Sequence, residues 1–265
     1  TIGAFTMFIG KPFAFLGGFV GFVSTAIAFY YSVVVGWNIY YFLVTSFTEL
    51  PGSSADSLSL WNNFQNSYYP VLFHAIAMTV GGFAIYKGVS SIEKVNRILI
   101  PTLLIIVLIC VIRAISLPGA FNGIIYLFTP QWSQLTSPKL WLEALTQNAW
   151  DTGAGWGLFL TYAVYIKKRY GIVKNAFTTA IGNNIVSLLS AVMIFSTVFS
   201  ILGNELNMPK SEILDIMKTS GPAATGLTFI WMPQLFEKMI FGKTLSILFF
   251  LGLSFAGFSS LISML

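Results

Sequence analysis

Six stretches of this sequence, at about residues 13–47, 69–86, 98–116, 140–166, 176–202 and 244–265, are apolar over roughly the 20 residues that a helix needs to cross a bilayer core. No water reaches that core, so a spanning segment must satisfy its own backbone donors and acceptors, and on these lengths only helices do so. The expected fold is therefore all-α, a polytopic transmembrane helix bundle in which residues 1–265 form a single transmembrane domain. Composition agrees, since 56% of residues are hydrophobic and 9% charged, too little polar surface to cover a soluble core. The lipid bilayer is the first partner such a chain requires.

Charge gives the orientation. The net charge of +5 comes from basic residues scattered between apolar runs rather than gathered on one polar face, which argues against nucleic acid as a partner. One set of alternate loops holds Lys11, then Lys87, Glu93, Lys94 and Arg97, then Lys167, Lys168, Arg169 and Lys174. These are eight bases against one acid, so they are assigned to the cytoplasm. The other set, residues 49–68, 113–139 and 204–243, is longer and more acidic, and is assigned outside. It is rich in turn formers such as Pro51-Gly52-Ser53-Ser54, Pro118-Gly119 and Ser220-Gly221-Pro222, with a short helical pattern at 210–218. The lone Cys110 lies inside an apolar run, which leaves no disulfide framework and no metal cluster to expect. The chain starts without Met and stops inside an apolar run, and reads as truncated at both ends.

The fourth segment contains Gln147-Asn148-Ala149-Trp150-Asp151-Thr152-Gly153-Ala154-Gly155-Trp156-Gly157, three glycines in five residues with a carboxylate just before them. Each glycine costs a helix interior about 1 kcal/mol, and freed backbone groups in hydrocarbon cost more. Two readings fit: close helix packing through Gly153 and Gly157, which have the four-residue spacing of small-residue contacts, or a helix that breaks around a cavity. Asp151 favours the second, because a carboxylate at membrane depth costs about 3 kcal/mol and is usually kept for an ion or a proton, the other reading being a carboxylate simply satisfied by Ser and Asn neighbours. Gln147 and Asp151 share a helix face, and Asn183 and Ser187 repeat that spacing in the next segment, so four polar side chains could enclose one ion.

In the last segment Ala256, Ser259 and Ser260 fall at i, i+3 and i+4, with Met264 one turn on. Two hydroxyls and a carbonyl can converge there as oxygen ligands for a hard cation, or the hydroxyls can bond back into their own helix. Ile27 and Tyr31 share a face of the first segment, and a buried Tyr hydroxyl needs a partner. His74 is given no role.

Taken with Ala26-Ile27-Ala28-Phe29-Tyr30-Tyr31, the stretch 88–96 followed by Pro101, Leu117-Pro118-Gly119-Ala120, Thr161-Tyr162-Ala163 and Ala256-Gly257-Phe258-Ser259-Ser260, the broken segment resembles the neurotransmitter:sodium symporter family. The resemblance implies a partial inverted-repeat, leucine-transporter-like fold with a glycine-broken helix, the six segments corresponding to the family's third to eighth membrane helices. By position it implies that Tyr31 holds the substrate carboxylate, and that Ile27, Trp150, Gly153, Trp156, Ser260 and Met264 line the substrate pocket. It implies sodium ligands at Asp151 and Asn183 for one site, and at the Ala256 carbonyl, Ser259 and Ser260 for a second. Gln147, Asp151, Asn183 and Ser187 fall on the chloride-site positions.

Asp151 departs from that family pattern, which has Ser or Thr there. A fixed carboxylate can supply the negative charge that chloride otherwise supplies beside bound cations. The expected activity is sodium-coupled symport of a neutral, hydrophobic amino acid by alternating access, independent of chloride. The expected setting is a bacterial inner membrane, with two sodium sites, no organic cofactor and no enzymatic chemistry. The alternative is a proton-coupled broken-helix amino-acid transporter of a related superfamily, with Asp151 as the proton carrier.

Overall fold

The longest apolar run forms one continuous helix, α2 (Ala14–Phe47), preceded by α1 (Ile2–Ile9) and a 3-10 turn at Lys11–Phe13. The computed structural model describes residues 2–163, 171–218 and 226–265, and every regular element among them is helical. After α2 come α3 (Ser54–Gln65), α4 (Tyr69–Ile85), α5 (Val89–Ile115), α6 (Ala120–Leu127), α7 (Pro138–Thr152) and α8 (Leu158–Ala163). They are followed by α9 (Ile172–Val198), α10 (Lys210–Lys218), α11 (Met232–Glu237) and α12 (Gly242–Met264), with π-helical turns at Phe199–Glu205 and Leu227–Trp231.

Among the described residues, four helical stretches are long and apolar enough to cross a membrane: Lys11–Phe47, Ser90–Ile115, Ile172–Glu205 and Gly242–Met264. A fifth arises if α3 and α4, bent by 70° at their junction, are counted as one span. The all-α polytopic bundle expected from the apolar runs is the fold observed. Its details differ from the sequence reading in three places. The apolar run at 69–86 is the 17-residue α4. The run at 140–166 is divided into α7 and α8, and its last residues lie outside the described residues, as do Lys167, Lys168, Arg169 and the turn Ser220-Gly221-Pro222. Finally, α5 begins at Val89, well ahead of residue 98, and an i,i+4 pair between Glu93 and Arg97 at 2.8 Å spans its exposed first turns.

The stretches assigned to the outside are more helical than their turn formers indicate. Ser53 caps α3 by accepting the Asp56 N–H at 3.2 Å, and Gly119, in the left-handed region at φ 75, opens α6. Only α10 has a helical pattern that is plain in the sequence. These pieces bind one another: Ser54 donates to Gln234 at 3.0 Å, Ser200 donates to the Pro118 carbonyl at 2.6 Å, and Trp61 stacks on Phe229 with centroids 5.6 Å apart. Loops assigned to the same side of the bilayer thus meet on the same side of the fold.

The main core lies under them. Tyr41, Phe64, Ile201, Leu202, Ile213, Met232, Leu235 and Phe250 are essentially inaccessible and belong to one cluster that joins α2, α3, α9, α10, α11 and α12. A smaller cluster, Val35, Ala77 and Leu261, joins α2, α4 and α12 further along the bundle. Small residues let these helices approach closely, the usual device where lipid offers no hydrophobic drive between helices. A Cβ on Gly36 of α2 would lie 2.8 Å from backbone atoms of Phe73 and His74 on α4. One turn before Gly36, Ser32 bonds the His74 imidazole at 3.0 Å, so this histidine ties α4 to α2.

Gly36→Ala must push α4 away from α2 and is expected to cost about 1–3 kcal/mol. Gly18→Ala, on the same helix with nothing within 4 Å of the added carbon, should leave stability unchanged or slightly higher. Thermal unfolding of the two variants side by side checks the contrast.

Candidate functional site

The glycine-rich stretch breaks the helix. Gly153 follows α7 in the left-handed region (φ 64, ψ 30), its N–H bonding to the Trp150 carbonyl at 3.4 Å while the Ala154 N–H bonds to the Ala149 carbonyl at 3.0 Å. This pair of bonds is the helix terminator in which a left-handed residue lets the chain fold back over its last turn. Gly155 and Gly157 are also left-handed, at φ 83 and φ 74, and α8 resumes at Leu158. Residues with a Cβ would pay about 1–2 kcal/mol at each such position. Of the two readings left open by the sequence, the break is the one that forms. The Trp150 and Trp156 rings meet edge to face across it, 5.5 Å apart at 75°, and Trp156 covers Gly153 so closely that an added Cβ would touch its ring at 3.7 Å.

Asp151 sits in the last turn of α7 with both carboxylate oxygens engaged. Oδ2 accepts from Asn183 Nδ2 at 2.6 Å and Oδ1 accepts from Ser187 Oγ at 2.7 Å. Asn183 and Ser187 are one turn apart on α9, so one face of α9 grips one carboxylate. Three of the four residues that the i,i+4 spacings single out therefore come together. Gln147 does not join them: it is exposed on α7 and bonds no other side chain among the described residues.

The donor set suits a hard monovalent cation. The carboxylate has lone pairs beyond the two it has used, and Asn183, donating through nitrogen, keeps its amide oxygen. Among the described residues no group of three or more His, Cys, Asp or Glu gathers anywhere, and this site offers one formal negative charge.

A second group forms between α2 and α12. The half-buried Tyr31 lies near Ser260 of α12 and packs beside the Val35, Ala77 and Leu261 cluster, with Ile27 half-buried one turn earlier. Ala256, Ser259 and Met264 are half-buried on α12. That helix runs unbroken to Met264, so the Ala256 carbonyl can offer a cation only the lone pair left over from its helical bond.

The two groups are linked by a contact that the sequence reading missed. Tyr162 on α8 donates to Ser263 at 2.7 Å, and Ser263 donates to the Ser259 carbonyl at 2.8 Å. The half-helix beyond the break is thus fastened to α12, as the half before it is fastened to α9. Ser263 falls four residues after Ser259, the one local signal that could have drawn attention to it.

Residues 65–265 match the family model described as the Sodium:neurotransmitter symporter family. The chain belongs to that family. It is 30% identical over 263 residues to a protein of Methanocaldococcus jannaschii named as an uncharacterised sodium-dependent transporter, covering 95% of this chain and 50% of that relative. It is 27% identical over 279 residues to a sodium- and chloride-dependent GABA transporter of Drosophila melanogaster, covering 90% of this chain and 28% of that protein. The crystal structure of MhsT in complex with L-phenylalanine superposes with a TM-score of 0.81 at 25% identity, over 99% of this chain and 57% of MhsT. The chain spans about half the length of its first-matched curated relative. The symporter family is one of multi-pass membrane transporters, in keeping with the apolar helices described above.

Asp151→Ala leaves the Asn183 amide and the Ser187 hydroxyl without their acceptor, and should lower stability by about 1–3 kcal/mol. Gln147→Ala, which removes no such contact, should stay within about 0.5 kcal/mol of the wild type. Unfolding both in sodium-free buffer separates the anchoring role of the carboxylate from any effect of a bound ion.

Proposed function

We propose that the protein is a sodium-coupled symporter that carries a neutral, hydrophobic amino acid across the cell membrane by alternating access, without requiring chloride. The observation that carries this reading is the Asp151 carboxylate, gripped by Asn183 and Ser187 at the point where the helix breaks. Sodium dependence is named for relatives at 30% and 27% identity. In the proposed sites, Asp151 and Asn183 bind one sodium ion, and the Ala256 carbonyl with Ser259 and Ser260 binds a second. The membrane is taken to be a bacterial inner membrane.

Charge balance supports the chloride-independent form. A zwitterionic substrate brings no net charge, so two cations in a low-dielectric site need a fixed anion close by. A unit charge about 4 Å away is worth roughly 4 kcal/mol at an effective dielectric near 20. Asp151 supplies a carboxylate there, and its two hydrogen bonds hold it at the break.

For the substrate, Tyr31 and Ser260 offer hydroxyls to an amino-acid carboxylate, and the Trp150 and Trp156 rings offer apolar surface to its side chain. MhsT, the structural neighbour, holds L-phenylalanine. Loops fastened to the core on one side and half-helices fastened through Asp151 and Tyr162 fit a site that opens by rocking the broken helix.

Sodium-driven uptake by the intact protein should persist within about twofold when gluconate replaces chloride. Asp151→Ser should transport only with chloride present. Wild-type uptake that vanished without chloride would overturn the chloride-independent reading, and uptake that ignored sodium would overturn the coupling itself.

A further inference from the structure

We infer that the inner ends of α4 and α5 form a binding site for the headgroup of an anionic phospholipid. A cavity of about 280 Å³ opens there, lined by Phe83, Tyr86, Lys87, Ser90, Ser91 and Lys94. That is far more room than the ~10–15 Å³ that one water needs. The site is remote in sequence from the broken helix, and the inference stands independently of what the protein transports.

The lining divides by chemistry. Lys87, in the tight turn that ends at Gly88 (φ 66), and Lys94, on the following helix α5, line the same space and bring two ammonium-bearing side chains to it. Neither is in an ion pair among the described residues, because the one nearby acid, Glu93, is held by Arg97 at 2.8 Å. Two unpaired cations with two serine hydroxyls make a set of donors and no acidic acceptor, which is the complement of a phosphodiester. These ammonium groups carry the assignment. The first turn of α5 below them has no side-chain cap, and its partial positive charge acts in the same direction.

The other wall distinguishes a lipid from free phosphate. Phe83 and Tyr86 are 76% and 81% exposed at the end of a membrane helix, the place where aromatic rings sit among headgroups and upper acyl chains. A phosphate presented from the bilayer would have its glycerol and chains against these rings, whereas a free phosphate would gain nothing from them. This end also carries the loop whose basic residues assign it to the cytoplasmic face, where basic pockets between membrane helices meet anionic lipid.

Native mass spectrometry of the intact protein in detergent tests the site, with phosphatidylglycerol, phosphatidylcholine and inorganic phosphate added in turn. Phosphatidylglycerol should bind, phosphatidylcholine should not, and equimolar inorganic phosphate should not displace the bound lipid. The double variant Lys87→Gln, Lys94→Gln should bind phosphatidylglycerol about thirtyfold more weakly, from roughly fivefold per lysine. Arg97→Gln, which removes a charge already paired with Glu93, should change binding less than threefold. Equal retention of phosphatidylcholine, displacement by phosphate, or unchanged binding in the double variant would each overturn the inference. All these lysines and Arg97 are exposed, so unfolding is not the expected cause of a loss.

Discussion

The position of α7 depends on the two hydrogen bonds that Asp151 accepts from α9. No residue of α7 is buried, so hydrophobic packing inside the fold does little to locate it. A polar grip on its last turn does that work instead: bonds of 2.6 and 2.7 Å to a carboxylate are of the charge-assisted kind, stronger than bonds between neutral groups. The same oxygens are the proposed ion ligands. A cation at Asp151 would therefore bear directly on the contact that fixes the helix, and occupancy and helix position become linked quantities.

The rest of the molecule is arranged around this economy. On the side assigned to the outside, an aromatic and aliphatic core, reached by Tyr41, Phe64, Phe229 and Phe250, binds the loop helices to α2 and α12. Close approach at Gly36 and the Ser32 to His74 bond lock α2 against α4. Among the described residues, side-chain hydrogen bonds tie the broken helix to this scaffold at Asp151 on one half and at Tyr162 on the other. A firm frame with a lightly tethered pair of half-helices fits the proposed alternating access, in which the tethers would be exchanged as the site changes face.

Much of this was legible in the sequence because its signals are local. Three glycines in five residues marked the break, and all three are left-handed. The i,i+4 spacings of Gln147 with Asp151 and of Asn183 with Ser187 pointed to a shared polar cluster, and three of those four residues meet. Periodicity could not show that Gln147 would stay out of it, because its position one turn earlier on α7 says nothing about where α9 ends its contact. Tyr162 with Ser263 and Ser32 with His74 pair residues 101 and 42 apart, and such contacts leave no local trace. The polar opening of α5 and the short α3, α6 and α11 escaped because hydropathy reports burial in lipid, whereas these pieces are held by caps, ion pairs and packing against one another. The cation site itself remains a reading of chemistry: an oxygen-rich cluster around one negative charge.

That reading stands or falls with sodium binding at Asp151. Equilibrium binding of radiolabelled sodium to the intact protein, compared with Asp151→Asn and Ser187→Ala, measures it without involving transport. The account predicts at least tenfold weaker sodium binding for Asp151→Asn, which loses the charge, and a change below threefold for Ser187→Ala, which loses one support of it. Equal sodium affinity in the wild type and Asp151→Asn would contradict it.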